Sequence, residues 1–191
     1  MIDKFFYPVH TTVSEEKRRF SSAAVLHGRS FPDISKFTIA IFGVYDHRLG
    51  GAEQPGAEEA FAPIRNELYQ LYYKFPELSV TDLGNIIPGE SPEDTLSAVS
   101  TVVNELASQG VISVILGNHQ LAGLGQYSGF DGLSKFTEIT VFDKAVSIHD
   151  QDLVYRIVSH EPNHLFNLNH LGHQTPFCDD EALGAFEKMY F

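Results

Sequence analysis

The residues of this chain that could do chemistry are carboxylates and imidazoles placed just after short apolar runs. They are Asp46 and His47 in Tyr45-Asp46-His47, Asp82 in Asp82-Leu83-Gly84, His119 in Asn118-His119, Asp143, and the loop from His170 to His173. Side chains of this kind act as general acids and bases, or bind a hard divalent cation that takes several carboxylates beside one or two imidazoles. Nine histidines, among them His160, His164, His170 and His173 in one stretch, add to the metal reading. Mixed strand and loop gives those four no fixed ligand spacing, however. The string His160-Glu161-Pro162-Asn163-His164 matches the HExxH of zinc proteases letter for letter. That motif needs both imidazoles one helical turn apart, and Pro162 breaks such a helix, so we read a turn leading into a strand.

Other chemistries find no support. Gly43 to Gly50 follows an apolar run but has neither the GxGxxG spacing nor the lysine of a phosphate loop. No GxSxG nucleophile elbow occurs. The single cysteine, Cys178, lies beside Asp179 and Asp180, a poor setting for a thiolate nucleophile.

The elements that must position these residues alternate in period. Lys36 to Gly43 is a nearly continuous apolar run, as a parallel strand buried on both faces should be. The spacing of Phe61, Ile64, Leu68, Leu71 and Tyr72 predicts a helix over 57–74, with Pro63 at its first regular turn. A second strand is expected over 78–83. Ser91-Pro92-Glu93-Asp94 then supplies an N-cap, a proline at the first position and acids in the first turn of a helix that Gly110 stops. Further strands are expected over 111–116, 138–142 and 165–168, and helices over 120–132, 150–159 and 179–189. Residues 1–35 show no sustained period and read as an N-terminal arm, leaving 36–191 as one α/β domain. The alternation predicts a three-layer α/β/α sandwich with a mostly parallel sheet, whose ligands bind beyond the carboxyl ends of the strands.

A chain of 191 residues accommodates one domain of ordinary size plus an appendage. Its net charge of −12 works against a nucleic-acid partner and an anionic membrane surface. With one cysteine it forms no internal disulfide, no 18 apolar residues run together, and the first residues lack a signal-peptide pattern. A cytoplasmic protein is therefore expected.

Val114-Ile-Leu-Gly-Asn-His-Gln-Leu121 resembles a strand and turn of the ureohydrolases, commonly VLGGDHSL. Ile39-Ala-Ile-Phe-Gly43 is similar to the opening strand of that family, Gly56 to Tyr69 to its next helix with Arg65 in place, and Thr81-Asp-Leu-Gly84 to its DLG turn. The resemblance covers about residues 36–175 and implies an arginase-like sandwich. The family comprises arginase, agmatinase, formimidoylglutamase and relatives, which hydrolyse guanidino or formimino groups with two manganese ions. Paired cations lower the pKa of a shared water and supply hydroxide for attack on an amidine carbon.

The resemblance implies six metal ligands from three motifs, with His119 in the first. The second, DAHxD, falls on Asp143-Lys-Ala-Val-Ser147, where Asp143 matches but Ala145 and Ser147 cannot bind metal and Lys144 adds opposing charge. The third would lie beyond Phe191, as would the family's C-terminal strands. Only His119 and Asp143 remain, as vestigial candidates, and loss of ligands costs metal affinity steeply. The expectation is a divergent member with a degraded dimanganese site and no hydrolase activity. The alternatives are an active amidine hydrolase, with ligands rebuilt from Asp46, His47, Asp82, His149 and Asp150 or supplied C-terminally, and a non-catalytic binding or regulatory module. A small-molecule amidine is the expected ligand class, and self-association is expected from a sheet with uncovered strands.

Overall fold

A computed structural model describes residues 2–10, 16, 18–50, 59–133, 136–149, 152–178 and 180–188. These fall into two compact units, Met1–Gly129 and Phe130–Phe191.

The first unit is built on a mostly parallel sheet. Its strands are β1 (Phe6–Tyr7), β2 (Val25–Leu26), β3 (Ile39–Val44), β4 (Val80–Ile86) and β5 (Ile112–Gly117). Its helices are α1 (Phe20–Ala23), α2 (His47–Gly50), α3 (Ala62–Gln70), α4 (Pro92–Ser108) and α5 (Ala122–Ser128). The order along the sheet is β1-β4-β3-β5, with β2 also pairing β4. β3 runs parallel to both of its neighbours, in register Ile39 with Val80 and with Ile112. On its other side β4 takes β2 in parallel at Thr81 and Asp82, and β1 antiparallel at Asn85 and Ile86.

The lead-in read as an irregular arm thus contributes two short strands. A strand of two residues has no period to display, and these exist only because β4 offers them a ladder. β4 itself extends to Ile86, three residues past the expected end. α3 is shorter than its apolar spacing predicts, because Leu71 already has extended backbone. Tyr72 bridges instead to Arg19, whose guanidinium lies 4.1 Å from the centre of its ring. The first part of the expected helix, over 57–58, lies outside the described residues.

α4 begins as the sequence requires. The Ser91 hydroxyl accepts from the Asp94 backbone N–H, and the Asp94 carboxylate accepts from the Ser91 N–H, a reciprocal cap. Its buried stripe of Val99, Val102, Val103 and Leu106 joins Phe42, Val44, Leu83 and Ile86 in the core. α5 packs closely on α4 because Gly125 has no side chain. A Cβ there would come within 2.9 Å of the Leu96 carbonyl and of Val99.

The second unit contains β6 (Thr137–Phe142), α6 (Leu153–Val158), β7 (Leu165–Leu171) and α7 (Asp180–Lys188). β6 and β7 form a parallel pair. A small core of Val146, Val154 and Ala182 gathers Val141, Ile148 and Leu168 against it. No helix among the described residues is long and apolar enough to cross a membrane.

Candidate functional site

In the first unit the chemistry-bearing residues lie at three successive strands. Beyond β3, Asp46 is 1% exposed. Its carboxylate accepts from Arg48 Nε at 2.8 Å and Nη2 at 2.7 Å, from the Arg48 backbone N–H at 3.0 Å and from the Thr95 hydroxyl at 2.7 Å. Burial pushes this carboxyl upward, but the hydrogen bonds from Arg48 and Thr95 outweigh it and hold the group below the ordinary carboxylate value. Arg48 also donates to the carbonyls of Glu90 and Gly89, at 2.6 and 2.8 Å. The pair therefore ties the β3 turn to the start of α4. His47, beside it, is exposed.

Asp82 was expected just past a strand end and instead lies inside β4, fully buried. Arg65 of α3 meets it with Nε at 2.8 Å and Nη2 at 3.0 Å, and the Tyr69 hydroxyl donates at 2.7 Å. The Gly84 N–H supplies a fourth hydrogen bond at 2.9 Å. Arg65 is completed by Asn85 Oδ1 at 2.7 Å and the Gly84 carbonyl at 3.0 Å. Gly84 holds φ at +90°, and a Cβ there would sit 1.9 Å from the Tyr7 carbonyl, so only glycine fits this turn of the network. Burial, then the Asp82 charge, push the Tyr69 phenol far upward, so it stays protonated and donates.

At the end of β5 the Asn118 side chain adds two bonds to the ladder. Its Oδ1 accepts from the Asp46 N–H at 3.1 Å and its Nδ2 donates to the Asp46 carbonyl at 3.2 Å. His119 follows, partly exposed, with Nδ1 accepting from the Leu121 N–H at 3.3 Å. An open cavity of about 370 Å³ lies beside it, lined by Ile115, Gly117, Asn118, His119, Gln120, Ala122, Gly123 and Gln126. That lining offers amides and an imidazole but no carboxylate.

In the second unit Asp143 is exposed at the end of β6, and its Oδ1 accepts from the Ala145 N–H at 3.1 Å. Lys144 lies with Nζ 4.4 Å from the centre of the Phe177 ring. The Ser147 hydroxyl donates to Asp152, which also accepts from the His149 N–H at 2.9 Å. Asp150 lies outside the described residues. His170 is buried with Nε2 3.1 Å from the Ala145 carbonyl, and His173 is exposed with its ring centre 6.2 Å away. His160 to His164 forms the connection between α6 and β7, as Pro162 requires, and His160 pairs with Asp131 at 2.7 Å.

Among the described residues no three His, Cys, Asp or Glu side chains converge to hold a metal ion. The donor set at the DAHxD position is one carboxylate, a methyl and a hydroxyl already given to Asp152, which does not fit a bridged pair of cations. Sequence reasoning missed Arg48 and Thr95, which hold Asp46, and Asn85, which completes Arg65. Only Arg48, two residues from Asp46, carried a signal that could have found it.

No protein-family model matches the sequence, and no curated protein matches it. Solved structures do. A Trypanosoma cruzi formiminoglutamase with manganese aligns over 89% of this chain and 62% of its own, at 14% identity and a TM-score of 0.69. A T. brucei arginase-like protein aligns over 80% and 58%, at 15% identity and a TM-score of 0.58. A quadruple mutant of the latter, in which three serines become aspartate and one arginine becomes histidine, aligns over 80% and 55%, at 13% identity and a TM-score of 0.53. The chain spans about 60% of the length of the proteins first matched. At these identities the likeness is one of fold, and the chain carries the α/β fold of the arginases and formiminoglutamases.

Proposed function

We propose that this chain keeps the arginase fold without the dimanganese hydrolase chemistry, as a non-catalytic scaffold. The observation that carries this reading is the state of the two surviving ligand positions. His119 Nδ1 and Asp143 Oδ1 each accept a hydrogen bond from a backbone N–H two residues on, while Ala145 and Ser147 occupy places where the family has ligands. A rebuilt cluster would draw on Asp46 and Asp82, but the first is engaged by Arg48 and Thr95 and the second is enclosed by Arg65 and Tyr69. Freeing Asp82 would leave the buried Arg65 unpaired, and freeing Asp46 would break its bonds from Arg48 and Thr95.

The cavity beside His119 supports a binding role of limited kind. Its lining has no counter-charge for a guanidinium or amidinium cation, so it suits a neutral polar molecule better than the amidines of the family. Elemental analysis of the protein after incubation with manganese, with hydrolysis assays on arginine, agmatine and formiminoglutamate, tests the reading. We expect no stoichiometric metal and no turnover. Two manganese per chain, lost in His119→Ala and accompanied by turnover, would replace it with an active hydrolase.

A further inference from the structure

We draw no further inference here: the strongest candidate, the open cavity beside His119 at the end of β5, belongs to the site already described, and nothing in the structure shows what occupies it.

Discussion

Asp82 lies inside β4 and Asp143 just past the end of β6, and the molecule treats these two strand carboxylates in opposite ways. Asp82 is enclosed by four hydrogen bonds, two of them from an arginine that also donates to Asn85 and to the Gly84 carbonyl. Asp143 lies at the surface with one bond to its own loop. A buried carboxylate without its partners is costly, so folding alone requires Arg65, Tyr69 and Gly84 around Asp82. A surface carboxylate beside Ala145 and Ser147 imposes no such demand. The difference teaches that a carboxylate enclosed by the fold fixes the residues around it, whereas one at an exposed strand end leaves its neighbours unconstrained.

The largest effect should follow from breaking the enclosed side. Arg65→Leu removes the cation that pairs with Asp82 in the core, and we expect a loss of roughly 3–5 kcal/mol in urea unfolding. Tyr69→Phe removes a single donor to the same carboxylate and should cost about 1.5–3 kcal/mol by the same measurement.

Asp46 sharpens the comparison by pH, because it is buried like Asp82 but paired from the surface. Its folded pKa is depressed, so its contribution is fully present above the unfolded value of about 3.9 and is lost as pH falls through the folded one. The stability gap between wild type and Asp46→Asn should therefore be constant near neutrality and narrow as acid is added below about pH 4. A gap unchanged to the lowest pH at which both variants fold would show that Arg48 and Thr95 hold the turn without the charge. On the exposed side, His119→Ala and Asp143→Ala should each change stability by no more than about 0.5 kcal/mol. Either variant losing several times that amount in urea would contradict the contrast.

Much of the scaffold was legible because its signals are local. The apolar run at β3, the Ser91 cap and the Gly110 stop each act over a few residues. What was not legible depends on long-range pairing. β1 and β2 are strands only by virtue of β4, and Leu71 and Tyr72 leave the helical pattern because Phe20 and Arg19 receive them from far along the chain. At the candidate site the residue types were readable but their partners were not. That Asp46 closes on Arg48 and Thr95 depends on how the β3 turn meets the start of α4, which no spacing in the sequence encodes.

The Asn118 side chain gives the β3–β5 seam a polarity. Two side-chain bonds to Asp46 fasten it at the Gly117 end, beyond the last rung of the ladder, while at the Ile112 end the described residues show no comparable clasp. Thermal opening of this seam should then run in one direction, peeling from Ile112 toward Asn118. The His119 turn, carried on the fastened end, would be the last part of β5 to come loose.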